Sequence, residues 1–160
     1  MKQKRSLLEQ LQLWLEEGSI EPTNMSGASI ISLLFAVPKA NGKLRWVLDL
    51  RRFNEYLTKT RFKLTGLTHV RSFLEKDDFL TSLDLTDAYF HVRVNRRHRR
   101  FLAFRAGDAI FRFRAMVFGA SSAPLVFTRL TRPIVAQLHR EGIRCSLYLD
   151  DMIIAAKSRA

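Results

Sequence analysis

The 160-residue chain reads as an α+β fold built on antiparallel strands. Three observations carry that reading. Turn signals stand at Asn41-Gly42, at Ala106-Gly107-Asp108 and at Asp150-Asp151, each between runs of strand-favouring apolar residues. Two segments, Leu7–Leu15 and Val126–Leu138, carry apolar residues at the spacing of one helical face. Strands and helices follow one another without strict strand–helix–strand alternation, which argues against a parallel sheet with crossover helices.

The elements follow in order. Ser6 to Glu17 is a helix: Ser6 is its N-cap with Glu9 three residues on, Leu7, Leu8, Leu11 and Leu15 form a stripe, and Gly18 caps its end. A hairpin comes next, with a strand to Val37, a turn at Asn41-Gly42 and a return over Leu44 to Leu50. Arg51 to Leu80 is mixed, with a helix over Leu67–Leu74. "FLTSLDLTDAYFHVRV" alternates as a strand through Leu83–Leu85 and then turns, with Leu83 and Leu85 on the face opposite Asp84. A second hairpin folds at Ala106-Gly107-Asp108. The next helix has a Ser121 or Ser122 cap and Pro124 in its first turn, and Val126, Leu130, Ile134 and Leu138 stand four apart along it. Gly142 ends that helix, and Pro133 is expected to kink or break it. A final hairpin carries two adjacent acids. With no repeat, low-complexity stretch or obvious linker, the chain is one large domain or two small lobes.

The charge balance narrows the function. Lys and Arg number 27 against 15 acids, a net +12 with a pI near 10.7. That field points to a polyanion, either nucleic acid or an anionic membrane surface, with nucleic acid first. No apolar run approaches the ~20 residues of a spanning helix. No signal-peptide pattern opens the chain. The expectation is an intracellular protein of cytoplasm or nucleus, neither secreted nor membrane-embedded. The single cysteine, Cys145, excludes an internal disulfide and a Cys-based zinc site.

Three carboxylates carry the chemistry. Asp150 and Asp151 sit between the apolar runs of "SLYLDDMII", and Asp84 interrupts the apolar strand "TSLDLTDAYF". Acids are depleted inside strands. If the two strands are neighbours in one sheet, the three acids converge on one point. Three carboxylates that close need a cation, and Mg²⁺ binds through carboxylates together with substrate phosphates. That describes a two-metal phosphoryl-transfer site. The plain alternative is that Asp-Asp is common in solvated turns and that Asp84 is an ordinary strand-end residue.

The surrounding motifs decide between them. "LYLDDMII" resembles the Tyr-x-Asp-Asp motif of reverse transcriptases, and "LDLTDAYFHV" resembles that family's first catalytic motif. "FRAMVFGASSAPLVF" is similar to the segment usually read as Leu-Pro-Phe-Gly-Leu-Ser-x-Ala-Pro. "LFAVPKANGKLRWVLDLRRFN" looks like the fingers hairpin with its Asp-x-Arg-x-x-Asn ending. The four stand in the family's order, and "DAYFHV" with "GIRCSLYLDD" resembles retrotransposon enzymes, the DIRS group among them.

The resemblance implies a right-hand polymerase: fingers over residues 1–76, palm over 77–92, a fingers hairpin over 93–118 and palm again over 119–160. The thumb, primer grip and any ribonuclease H domain fall outside the chain, so exposed apolar surface and weak primer binding are expected. It implies RNA-directed DNA polymerase activity on an RNA or DNA template with a primer, using deoxynucleoside triphosphates. Two Mg²⁺ ions, with Mn²⁺ a possible substitute, would be held by Asp84, Asp150 and Asp151 and the Leu85 carbonyl. Tyr89 matches the residue beneath the incoming sugar, and Lys39 and Arg45 match the triphosphate clamp, a point charge and a bidentate fork. Phe118 and Gly119 match the start of the helix against nucleotide and template, where Gly119 permits close backbone approach. Tyr148 supports the primer end, and Asp87 is a loop residue. Without the family, Tyr89 reads as a packed aromatic and Lys39 and Arg45 as solvated hairpin residues.

Two positions depart from the pattern: Val117 stands at the usual proline and Met116 at the usual leucine. The basic run with Arg93, Arg96, Arg97, Arg99 and Arg100 is a template-backbone contact or simply a solvated loop. Other readings are a truncated, inactive nucleic-acid-binding remnant and an RNA-dependent RNA polymerase, the latter disfavoured by Tyr89 and the Tyr-Leu-Asp-Asp wording.

Overall fold

Turn chemistry and pleat period place the elements. The computed structural model describes every residue except Met1, Ala40, Asn41, Lys43, Thr65, Arg159 and Ala160. It has an α+β architecture of two compact units, residues 1–58 with 89–123 and residues 59–88 with 124–160.

In the first unit, helix α1 (Lys2–Glu16) precedes strand β1 (Ile20–Thr23). The helix starts earlier than its capping signature implies, because Ser6 lies inside it and its Oγ accepts the Trp46 indole N–H at 3.3 Å. Gly18, with φ +65°, closes the helix as the Ser19 N–H reaches the Trp14 carbonyl at 2.8 Å. The buried face is Leu11 and Trp14, whereas Leu8 and Leu15 of the expected stripe are exposed. Trp14 decides this, because its ring meets Phe90, Phe104 and Phe113 edge-on at 5.2–6.3 Å.

Strands β2 (Ile31–Ser32), β3 (Leu34–Pro38) and β4 (Leu44–Leu48) follow, then the short helix α2 (Arg51–Glu55). The β3–β4 hairpin is antiparallel, with Val37 opposite Arg45. Of its turn signal, Gly42 has φ +75° and Asn41 lies outside the described residues. Strands β6 (Ala103–Ala106) and β7 (Ala109–Phe113) form the second expected hairpin around Gly107, whose φ is +62°. The four-stranded sheet runs β1-β7-β6-β2, and β2 joins β6 in parallel, the one departure from antiparallel pairing among the described strands. Phe104 and Phe113 are buried on its inner face.

The second unit has helix α3 (Leu67–Phe73), strand β5 (Phe79–Asp84), helix α4 (Ala123–Arg140) and strands β8 (Arg144–Tyr148) and β9 (Asp151–Ala156). Its sheet runs β5-β9-β8 and is wholly antiparallel. Helix α4 continues through Pro133 without the expected break. Two residues before the proline, the Thr131 hydroxyl bonds back to the Phe127 carbonyl at 3.0 Å. The helix spacing also misleads on burial: Phe127 and Thr131 are buried, while Val126, Leu130 and Ile134 are exposed.

A charge network ties the far end of this sheet. Arg144 forks onto the Asp78 carboxylate at 2.7 and 2.8 Å, and Lys157 reaches Glu75 at 2.7 Å and Asp78 at 3.1 Å. Hydrogen bonding from Arg144 holds the Asp78 carboxyl well below the usual carboxylate range, and Lys157 holds Glu75 lower. No described helix is long and apolar enough to cross a membrane.

Candidate active site

The three acids belong to neighbouring strands of the second unit. β5 pairs with β9 so that Asp84 stands directly opposite Asp151, and Tyr148 of β8 faces Asp151 from the other side. Residues opposite one another in an antiparallel pair share a face, with Cβ atoms about 4.5–5.5 Å apart. Asp150 occupies the two-residue turn with Leu149, and its carbonyl accepts the Leu85 N–H at 2.9 Å. This bond extends the β5–β9 pairing one residue past the end of the strand. Register and turn thus bring together Asp84, Leu85, Asp150 and Asp151.

The turn is strained. Leu149 has φ +56°, a left-handed conformation that costs a non-glycine residue roughly 1–2 kcal/mol. Asp87, with φ +51°, makes the corresponding turn after β5, where Asp is better tolerated.

Ten of the fifteen acids, Asp84, Asp150 and Asp151 among them, make no ion pair among the described residues. Glu21, Asp49, Glu75 and Asp78 are all paired with Arg or Lys. Three carboxylates on adjacent backbone positions form an all-oxygen donor set, the kind a hard divalent cation takes. As the side chains stand, no three acids, His or Cys are gathered at metal-holding distance among the described residues. The backbone sets the acids on neighbouring strands and their connecting turn.

The remaining residues singled out by the sequence lie in the first unit, apart from Tyr148, which is 49% exposed at the end of β8. Arg45 is exposed on β4 and Lys39 is exposed just past β3, its carbonyl accepting the Gly42 N–H at 3.0 Å. Tyr89 is 6% exposed and its ring packs on Phe118 at 4.6 Å, so solvent meets Phe118, at 46%, before Tyr89. Gly119 has φ +91°, and a Cβ there would meet nothing closer than 3.9 Å. Its backbone conformation by itself favours glycine here.

The basic run is not one stripe. Arg99 turns inward to the Val94 carbonyl at 3.1 Å and Glu21 at 3.3 Å, with 15% of its side chain exposed. Arg100 is exposed and bonds the Ser29 hydroxyl, while Arg96 and Arg97 are exposed.

One residue escaped the sequence reading. The Asn54 amide donates to the Gly119 carbonyl at 2.8 Å and accepts the Ser121 N–H at 2.9 Å, clamping both sides of the loop after Phe118. Asp49 prepares it: the Arg51 guanidinium and N–H bind its carboxylate at 2.6–3.2 Å, lowering its pKa to about 2, and hold the first turn of α2. The Asp-x-Arg-x-x-Asn wording was the available signal, since it spaces Asn54 one helical turn beyond Leu50, whose carbonyl takes the Asn54 N–H at 2.8 Å.

The chain is similar in sequence and fold to known proteins. Residues 37–160 match the family model described as "Reverse transcriptase (RNA-dependent DNA polymerase)". The Transposon Tf2-3 and Tf2-7 polyproteins of Schizosaccharomyces pombe are 31% and 30% identical over 124 residues, 78% of this chain. The chain spans only 9% of the length of these relatives. In fold it is similar to the foamy viral protease-reverse transcriptase in complex with dsDNA (TM-score 0.83, 19% identity, 97% of this chain and 31% of that one). A prototype foamy virus protease-reverse transcriptase gives TM-score 0.81 at 22% identity, over 98% of this chain and 20% of that one. Motif order, the opposed acids of β5 and β9 and a family match over residues 37–160 agree, and the chain belongs to the reverse transcriptase (RNA-dependent DNA polymerase) family.

Proposed function

We propose that this chain is the fingers and part of the palm of an RNA-directed DNA polymerase that adds deoxynucleotides to a primer 3′ end on an RNA or DNA template. The observation that carries this is the register pairing Asp84 with Asp151 beside the Asp150 turn, in a chain of the reverse transcriptase family. Asp84, Asp150 and Asp151, with the Leu85 carbonyl, would hold two Mg²⁺ ions, or Mn²⁺ in their place. Bound there, such ions activate the attacking hydroxyl and neutralise the leaving phosphate.

The chain's own residues bind and orient. Arg45 offers a planar fork and Lys39 a point charge to the triphosphate. Tyr89, backed by Phe118, sits beneath the incoming sugar and resists a 2′-hydroxyl; its low exposure means that the gate works through the edge of the pair. Phe118 and Gly119 border the nucleotide, Tyr148 supports the primer end, and exposed Arg96, Arg97 and Arg100 meet template phosphates, with Arg99 bracing the loop from within. The division into fingers at 1–76 and 93–118 and palm at 77–92 and 119–160 belongs to this reading. So do origin in a retroelement, supported by the transposon relatives, and a DIRS-group affinity, supported by the "DAYFHV" and "GIRCSLYLDD" wording.

The test is primer extension on an RNA template with Mg²⁺ and deoxynucleotides, beside Asp150→Asn. Removing one ligand of a charge-neutralising site costs several kcal/mol, so extension should fall at least about a hundredfold. A native chain that binds primer–template in a salt-sensitive way yet never extends it would instead support the binding-remnant reading.

A further inference from the structure

A second charged cluster lies in the first unit, around Glu21. In the β1–β7 register Glu21 stands directly opposite Arg112, and the pleat puts Arg114 on the same face two residues on. Arg93 is bridged to Ala115, beside Arg114, and the guanidiniums of Arg93 and Arg114 flank Gly18. Arg99 arrives from the loop before β6. The Glu21 carboxylate meets Arg112 at 2.7 Å, Arg99 at 3.3 Å and Arg114 at 3.6 Å. Burial alone would raise the Glu21 pKa, yet the hydrogen bonds and charges of Arg112 and Arg99 hold it below its ordinary value.

One carboxylate therefore serves three guanidiniums, and with Arg93 beside Arg114 at Gly18 the cluster carries a surplus of three positive charges. Guanidinium does not shed its proton in proteins, so the surplus cannot be relieved by titration as it could with lysine or histidine. The arginines are also held in place by neutral acceptors. Arg93 bonds the Gly18 carbonyl at 2.5 Å, Arg99 the Val94 carbonyl at 3.1 Å and Arg112 the Gly27 carbonyl at 3.3 Å. The buried Nε of Arg114 has no hydrogen-bond partner among the described residues, its approach to Glu21 being an ion pair at 3.6 Å, and 39% of the side chain is exposed. Forks fixed in advance, with donors to spare and charge to neutralise, make an anion receptor whose ordering cost is already met.

We infer that Arg93, Arg99, Arg112 and Arg114 around Glu21 form a phosphate-binding site, separate from the carboxylates of β5 and β9. Its ligand is a phosphate group, either a phosphodiester of a nucleic-acid strand or free phosphate. The site stands on the first unit's geometry; only its nucleic-acid source rests on the polymerase reading.

The test follows thermal unfolding of the chain as sodium phosphate or pyrophosphate replaces sodium chloride at constant ionic strength. Phosphate should raise the unfolding midpoint of the native chain above that in chloride, with the gain cut in Arg114→Gln and Arg93→Gln but kept in Arg132→Gln, an exposed control on α4. Glu21→Gln should unfold earlier in chloride and recover in phosphate, which a purely structural ion pair would not do. In parallel, binding of a labelled single-stranded oligonucleotide is titrated against salt. Arg114→Gln should lower the slope of log affinity against log salt by roughly 0.7, one phosphate contact on a single strand. A phosphate gain with unchanged oligonucleotide slopes supports the site with free phosphate as its ligand. Equal midpoints in phosphate and chloride, with native slopes in Arg93→Gln and Arg114→Gln, overturn it. Should Arg114→Gln fail to fold, Arg93→Gln at its exposed position gives the same comparison. Primer extension is scored separately, so loss of the polymerase reading would leave the phosphate result standing.

Discussion

Replacing Asn54 by alanine should loosen the loop that follows Phe118 and show whether that loop is built as the structure indicates. The side chain makes two neutral hydrogen bonds, to the Gly119 carbonyl at 2.8 Å and from the Ser121 N–H at 2.9 Å. Each such bond contributes a net ~0.5–1.5 kcal/mol. Gly119 and Ser121 are exposed, so water can take over both backbone groups and the lower part of the range applies. A loss of about 1–2 kcal/mol follows, which in a chain of this length lowers Tm by about 2–8 °C. Asn54→Asp separates the two bonds. It keeps the acceptor for Ser121 but turns a carboxylate toward the Gly119 carbonyl, so it should lose about as much as one bond and gain nothing from its charge. On the polymerase reading the loop borders the nucleotide, so loosening it should raise the apparent KM for deoxynucleotide more than kcat falls. Thermal denaturation and steady-state extension read these directly. An Asn54→Ala chain that melts within about 1 °C of the native one and extends primer with native KM would refute the clamp.

Three further outcomes follow. The Asp78 and Glu75 carboxyls are held below their ordinary values by Arg144 and Lys157, so they add stability above the unfolded carboxylate range and lose it as pH falls through their lowered values. Melting followed downward from pH 5 should thus show a steep acid limb that Arg144→Gln flattens, and an identical limb in both would count against the network. At Leu149, φ +56° predicts that a β-branched Leu149→Val is destabilising by roughly 1 kcal/mol or more, while Leu149→Gly is neutral or stabilising but blunts extension by slackening the Asp150 turn. Tyr89→Val should raise ribonucleotide incorporation relative to deoxynucleotide, and unchanged discrimination would remove Tyr89 from the sugar site.

Much of the fold was legible where the signal is local. Asn41-Gly42, Ala106-Gly107-Asp108 and Asp150-Asp151 each announce a hairpin, because turn geometry depends on a few adjacent residues. The last turn nevertheless closes one residue earlier, at Leu149-Asp150, and Asp151 opens the strand. Which strands neighbour one another is not local: that β5 lies against β9, setting Asp84 opposite Asp151, follows from pairing across 67 residues of chain, which the motif order suggested but no spacing could state. The same limit explains the misjudged faces. The apolar stripe of α4 was visible, yet its exposed side is Val126, Leu130 and Ile134, because periodicity finds an apolar face without saying what meets it.

By itself, then, the sequence determined the family, the α+β class, the hairpins and the identity of the three acids, since each rests on residue type and short-range order. Only the tertiary structure decided that Arg99 turns in to Glu21 instead of out to solvent, that Asn54 holds the Gly119 loop, and that three arginines meet one glutamate with Arg93 close by at Gly18. Those arrangements join residues 65 to 93 positions apart, and a side chain's partner at that range is set by register and packing, not by its neighbours in the chain.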